Sequence, residues 1–404
     1  MGAMGAMGAK SWRLTLLCTL LLILVLCWMQ VRNKRQLVSY VSHGKHYCEP
    51  FEPKGLGEIH SLVYQMRLPG VQMAYISPGG ELVQCNFGWS RHFPWPRPVE
   101  SHDRFRYASL TKILVSIVTM QAQEKGLLHF EGRLVEKLSL SISPKDKRVM
   151  EITIDHLLRH VGGFDRTFSG DPMLQTSPWC PGRVEQLLTT TLDHSPGAYY
   201  SYSNLGYCLL GIVLERDFGK PLVSLLRTQV LDPLGLEEIR PLVQGERLLD
   251  EVEDYPDPAE VVDSVRDIAY ANLAAVGAWS GSAADFARIL YAARRGDALL
   301  DNHGRTALFA TDETCDLSRW RSCRGYAFYP YQLAGRQRMY WCDGSLPGST
   351  AFAAVFADGS AFVLLGSSRD LDWMPATDKL GQVVYEIFAE ERLETGKKSK
   401  PIGD

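Results

Sequence analysis

The sequence predicts a mixed α/β (α+β) protein in which strands from both ends of the chain meet in one sheet around an inserted, largely helical block. Three observations carry this. Residues 71–76 and 81–87 read as strands around Ser77-Pro78-Gly79-Gly80, a hairpin signal. After Arg324 strand-like alternation returns over 326–331, 338–342, 351–356 and 360–365. Between about Glu124 and Ser280 the pattern is mostly helical, with Pro and Gly punctuating the loops.

The elements follow in chain order. Residues 1–9 repeat Met-Gly-Ala three times and carry no evident fold. Residues 14–31 form an uncharged 18-residue run of mainly Leu, Ile and Val, where a membrane helix needs ~17–20. A cleaved signal peptide has an apolar core of only ~7–15 residues followed by small ones. Here Trp28, Met29 and Gln30 follow instead, and Leu26 stands where a lipoprotein signal at Cys27 requires a small residue. The expectation is an N-terminal tail and single uncleaved anchor over 1–31, with basic residues on both flanks leaving its orientation open. A polar connector (32–55), a globular domain (56–392) and a polar tail (393–404) complete the division. Within the domain, Ile59, Leu62, Val63 and Met66 fall at helical spacing. A second helix begins near Ser109 and carries Ile113, Leu114, Ile117, Val118 and Met120. Leu380, Val383, Val384, Ile387 and Phe388 mark an amphipathic C-terminal helix. The acidic stretch 250–263 reads as an exposed loop.

Composition narrows the function classes. The chain has 404 residues, and 43 basic against 46 acidic side chains give a net charge of −3. That balance argues against nucleic acid as a partner, which requires a basic face. A hydrophobic content of 46% with 22% charged residues excludes general disorder. Of nine cysteines, Cys18 and Cys27 lie in the apolar run, and the odd set outside it contains no C-x-x-C, so a zinc ribbon or thioredoxin-like site is not expected. Cys315 and Cys323 either close a loop in an oxidising compartment or remain thiols.

The chemistry rests on a few patterns. G-x-S-x-G, H-E-x-x-H, the P-loop and the dinucleotide fingerprint are all absent from the sequence. S-x-x-K occurs at Ser42–Lys45, in the polar connector, and at Ser109–Lys112, where an apolar helix begins. The second placement suits nucleophilic chemistry. A helix N-terminus favours a developing oxyanion, and residues three apart share a face, so the Lys112 amine can reach the Ser109 hydroxyl. A desolvated lysine yields its proton more readily. The plain alternative is a helix-capping serine followed by a surface lysine with a buried stem.

The stretch Phe105-Arg106-Tyr107-Ala108-Ser109-Leu110-Thr111-Lys112 resembles the active-site motif of the serine β-lactamase/penicillin-binding-protein-like hydrolases, in particular the class C β-lactamase and esterase branch. Further similarities follow in order: Glu124-Lys125-Gly126-Leu127-Leu128, the run from Ile152 to His160, and Pro196-Gly197 ahead of Tyr202-Ser203-Asn204. Leu231-Asp232-Pro233-Leu234-Gly235-Leu236 and the run from Ser282 to Ala287 are similar as well, so the likeness covers about residues 58–390. The resemblance implies an antiparallel five-stranded sheet flanked by helices, an inserted all-α lobe, and a site between them with no cofactor. It also implies catalytic roles for Ser109, Lys112 and Tyr202. Tyr202 would pass the Ser109 proton to the leaving group, and Asn204 would hold a substrate carbonyl or tether Lys112. A second Tyr-x-Asn, Tyr270-Ala271-Asn272, lacks that surrounding pattern and reads as packing.

The family's third motif, Lys/His-x-Gly, falls on Cys342-Asp343-Gly344. Gly344 fits, and the Ser345 N–H would complete an oxyanion hole with that of Ser109. Cys342 departs from the pattern: a thiol supplies no cation for a substrate carboxylate, and Asp343 opposes one. His156 and His160, at i and i+4, have metal-ligand spacing but match the family's structural helix, and no motif supplies a third ligand, so no metal is expected. The expected activity is membrane-anchored hydrolysis of an ester, amide or short peptide through an acyl-serine, with the domain on the periplasmic or extracytoplasmic side. The alternatives are a β-lactamase or D-alanyl-D-alanine carboxypeptidase, and an inactive envelope-binding protein of the same fold.

Overall fold

The Ser77–Gly80 turn closes as its sequence signals: Gly80, at φ 90°, donates to the Ser77 carbonyl at 2.9 Å, and β2 (Gly70–Ile76) pairs antiparallel with β3 (Leu82–Arg91), Ile76 opposite Leu82. Only glycine adopts that left-handed backbone without a steric cost. The computed structural model describes residues 18–22 and 46–395, apart from 54, 92–95, 166, 174, 176, 244, 246–247, 257–269 and 370–371. Most of the expected anchor, the Ser42–Lys45 motif, the first nine residues and the tail after 395 lie outside the described residues. Residues 18–22 are helical, and among the described residues no helix is long and apolar enough to cross a membrane.

A small separate sheet joins 105–106, 279–281 and 240–241, and the other strands of the main sheet are β1 (His46–Glu49), β4 (Tyr329–Tyr331), β5 (Met339–Leu346), β6 (Ser349–Phe356) and β7 (Ala361–Gly366). They assemble in the order β1-β3-β2-β7-β6-β5-β4, antiparallel throughout, with the two-residue piece Arg97–Pro98 added to β3. The five long central strands are the sheet that the family resemblance implies. The extra edges are short, four and three residues, so neither establishes a period-two pattern in sequence. β1 is pinned instead by a disulfide, Cys48–Cys85, joining directly opposed residues.

Alternation sends the two faces of the sheet into separate cores. In β6, Ala351, Ala353 and Val355 face the core of the helical lobe, while Phe352, Ala354 and Phe356 face α1 (Leu56–Gln65) and α5 (Trp373–Thr395). Both faces are covered, so every residue of β6 and β7 is buried. Each fully buried Val, Leu or Phe contributes roughly 1.5–3 kcal/mol. On the lobe side lies α2 (Thr111–Glu124), buried from Thr111 through Ala122.

Two expectations change. Among the described residues, the block between 124 and 280 contains one long helix, α3 (Asn204–Phe218), while much of the rest is short helical turns and loops. Pro172, Pro178, Pro181 and Pro196 interrupt it, and the Cys180–Cys208 disulfide ties the loop to α3. The described part of the acidic stretch, 250–256, is not simply an exposed loop either, and 257–263 lie outside the described residues. Glu251 is buried, 3.6 Å from Arg106, whose guanidinium also meets Asp254 at 2.6 Å, and Asp250 lies 3.4 Å from Arg104. Two buried guanidinium groups draw these carboxylates inward, because unpaired buried charge is expensive.

Candidate active site

Ser109 sits in a single 3₁₀ turn, Ala108–Leu110, immediately before α2 rather than within it. Ala108 holds φ 47°, a left-handed conformation that costs an L-residue roughly 1–2 kcal/mol. Its surroundings fix that geometry: the Tyr107 N–H donates to the Trp279 carbonyl at 2.8 Å, and the buried Tyr107 hydroxyl donates to the Ser282 carbonyl at 2.9 Å. β5 closes on the same turn. A Cβ at Gly344 would stand 2.9 Å from both Ser109 N and Tyr107 O, so only glycine lets this strand approach the Ser109 turn. Ser345 follows on the strand, its hydroxyl accepting from Arg369 at 3.2 Å.

Lys112, on the first turn of α2, is fully buried. Its ammonium donates to the Val276 carbonyl at 2.8 Å and to Ser109 Oγ at 3.4 Å. Tyr202 arrives from the segment before α3, where Ser203 caps the helix by accepting from the Gly206 N–H at 3.0 Å. The Tyr202 hydroxyl donates to Ser109 Oγ at 2.7 Å. Burial pushes the Tyr202 phenol well above its ordinary range, opposed by the Arg324 guanidinium and by the bond to Ser109. Lys112 Nζ stands 5.0 Å and Arg324 Cζ 5.5 Å from its ring centroid.

Sequence-based expectations for the other residues are refined here. Asn204 donates its amide nitrogen to both Asp171 oxygens, at 3.1 and 3.0 Å, which leaves Oδ1, an acceptor, without a hydrogen-bond partner among the described residues. Tyr270 is buried under the Arg106 guanidinium, 5.8 Å from the ring centroid, a packing position. The two histidines hold the backbone: His156 Nδ1 accepts from the Thr153 N–H in a capping box, and His160 Nδ1 accepts from the Ser203 N–H. His160 also stacks on Tyr202, with centroids 4.6 Å apart. Asp343 does not set the wrong electrostatics for an anion. Arg321 neutralises it at 2.5 Å and bridges to Asp378 at 2.7 Å.

Ser109, Tyr202, Asn204, Gly344 and Ser345 line one cavity of about 640 Å³. The Beta-lactamase family model matches residues 57–381. The chain belongs to the beta-lactamase family. A putative fimbrial assembly protein FimD (serogroup D) of Dichelobacter nodosus is 35% identical over 293 residues, covering 70% of this chain and 71% of that protein. The D-alanyl-D-alanine-carboxypeptidase/endopeptidase AmpH of Escherichia coli K12 is 30% identical over 207 residues, covering 48% and 52%. The octameric penicillin-binding protein homologue from Pyrococcus abyssi superposes with a TM-score of 0.64 at 18% identity, over 83% of this chain and 77% of that one, a likeness of fold. This chain is therefore a serine hydrolase of the beta-lactamase family.

Within that family frame, Arg324 is the cation in the cavity wall that motif reading misses. It lies outside all three motifs, and its guanidinium Nη2 stands 3.9 Å from the Cys342 sulfur, the position of the expected family cation. Burial raises the Cys342 thiol, opposed by Arg324, so the sulfur is a neutral group and not a thiolate. Asp171, the partner of Asn204, was equally invisible, since it lies in an irregular segment with no motif around it.

Proposed function

We propose that Ser109 attacks the carbonyl carbon of an ester, amide or short peptide, forming an acyl-serine that water then hydrolyses. The observation that carries this is the convergence on one oxygen: Tyr202 at 2.7 Å and the buried Lys112 at 3.4 Å both reach Ser109 Oγ. Because burial disfavours the Tyr202 phenolate, the phenol serves as a relay. It accepts the Ser109 proton as it gives its own to the leaving group, so Oγ gains the acyl bond and the leaving group departs protonated. In the second half a water loses its proton along the same path, and Ser109 is regenerated. Lys112 holds positive charge beside the reacting oxygen. The N–H groups of Ser109 and Ser345 take the oxyanion, where each lost donor typically costs ~10²–10³-fold in rate.

The site would face the periplasmic or extracytoplasmic side, tethered through residues 14–31. Three disulfides, Cys48–Cys85, Cys180–Cys208 and Cys315–Cys323, support an oxidising compartment. A fluorophosphonate probe tests the chemistry. The wild type should be labelled and Ser109→Ala should not be. Tyr202→Phe should slow labelling by roughly 10²–10⁴-fold. Labelling that survives Ser109→Ala would eliminate this nucleophile, and a folded but unlabelled wild type would favour the binding-protein alternative.

A further inference from the structure

A second cavity, of about 590 Å³, opens beside the catalytic one, and the two share Tyr200, Arg321, Arg324 and Tyr329 in their walls. Its outer wall is the loop closed by the Cys315–Cys323 disulfide, and Arg159, Val161 and Thr314 line it as well. At the junction, the Tyr200 and Tyr329 hydroxyls are hydrogen-bonded at 2.8 Å, and Arg324 Cζ lies 4.7 Å from the Tyr329 ring centroid.

The charge balance at this junction is unusual. Arg324 is 9% exposed, and among the described residues no carboxylate forms an ion pair with it. Its contacts are phenol rings, the Tyr200 hydroxyl, the Cys342 thiol at 3.9 Å and a long bond of 3.4 Å to the Ala327 carbonyl, and its Nε is buried without a hydrogen-bond partner. Arg321, its neighbour in both walls, differs: its charge is met by Asp343 and Asp378. A guanidinium remains protonated wherever it is placed, and a buried one gains by meeting an anion. Its planar donors fit a carboxylate bidentately.

We propose that the substrate groove runs past Ser109 into this second cavity, and that Arg324 binds a carboxylate carried by the substrate at the junction. Arg324 thereby supplies, from a different segment of the chain, the cation that Cys342 lacks. The substrate class is a short peptide or related acyl compound with a free carboxylate, part of which continues beyond Tyr200 and Tyr329. This rests on the assignment of Ser109 as the nucleophile.

The test uses the full chain and matched acetylated peptide substrates differing only in a terminal carboxylate or carboxamide, each in a short and an extended form. The readout is the ratio of kcat/KM for carboxylate over carboxamide. Arg324→Met should lower that ratio roughly ten- to hundredfold, the worth of one charge-assisted hydrogen-bonding contact. Arg324→Lys should restore much of it. Thr314→Trp, which fills the second cavity, should raise KM for the extended peptide more than for the short one. An equal fall for both substrates in Arg324→Met would mean that the guanidinium acts through Tyr202 or the fold, and would overturn the proposal. So would a Thr314→Trp variant that treats long and short peptides alike. Binding of the same peptides to Ser109→Ala, by calorimetry, separates the two assignments. Carboxylate preference in binding without wild-type turnover sinks the nucleophile and keeps the anion site, whereas turnover without that preference sinks the anion site alone.

Discussion

Arg104 and Arg106, just upstream of the Ser109 turn, and Arg324, in the wall of the catalytic cavity, are all buried, yet their surroundings differ. Arg104 meets Asp250 at 3.4 Å and the Ser280 hydroxyl at 2.8 Å, and Arg106 meets Glu251 at 3.6 Å and Asp254 at 2.6 Å. Arg324 faces Tyr202, Tyr329 and the Cys342 thiol. The first pair has its charge matched inside the protein and serves to fix the segment that leads into the Ser109 turn. The other keeps an unmatched charge in a cavity wall, where a ligand can meet it. One residue type thus builds structure in one place and a recognition group in the other, and the neighbouring carboxylates make the difference.

The largest expected effect breaks the matched side. Arg106→Met would leave Glu251 and Asp254 without their shared guanidinium, and removing one partner of a buried pair costs about 3–5 kcal/mol. Denaturant unfolding should show a loss of that size. A loss below about 1 kcal/mol would mean that these carboxylates are as well solvated as surface ones, and the contrast with Arg324 would fail.

The next effect tests the unmatched side through alkali. Burial pushes the Tyr207 phenol up to about 12, with Arg324 opposing the shift. The folded state therefore holds that proton after the unfolded chain, near pH 10, has released it. This contribution is fully present below pH 10 and is lost as pH rises toward about 12, on the order of 2–3 kcal/mol in all. Tyr207→Phe should make stability fall less across that window, and Arg324→Met should extend the fall to higher pH from the same onset. Identical alkaline profiles for all three proteins would remove the claim that Arg324 acts on these phenols.

The smallest effect sets the baseline. Arg288 also pairs with a carboxylate, Asp285 at 2.6 Å and three residues away, but its side chain is 47% exposed. Arg288→Ala should cost no more than about 0.5 kcal/mol, since water competes for both charges. A cost near that of Arg106→Met would show that pairing, rather than burial, sets the scale.

The sequence by itself determined the parts whose logic is local. Tyr202, Asn204 and Gly344 were legible through the family resemblance, while Ser109 and Lys112 are three residues apart where an apolar helix begins, so their spacing alone brings them together. The hairpin at Ser77–Gly80 and the two-faced strands β6 and β7 were legible for the same reason. Tertiary structure decided everything that depends on distant neighbours. It added β1 through Cys48–Cys85, turned Asp250, Glu251 and Asp254 inward against Arg104 and Arg106, and matched Asp343 with Arg321. It also set Arg324 beside Tyr202, more than a hundred positions earlier in the chain. A side chain's charge is written in its identity, but whether that charge is neutralised, solvated or left for a ligand depends on what the fold packs against it.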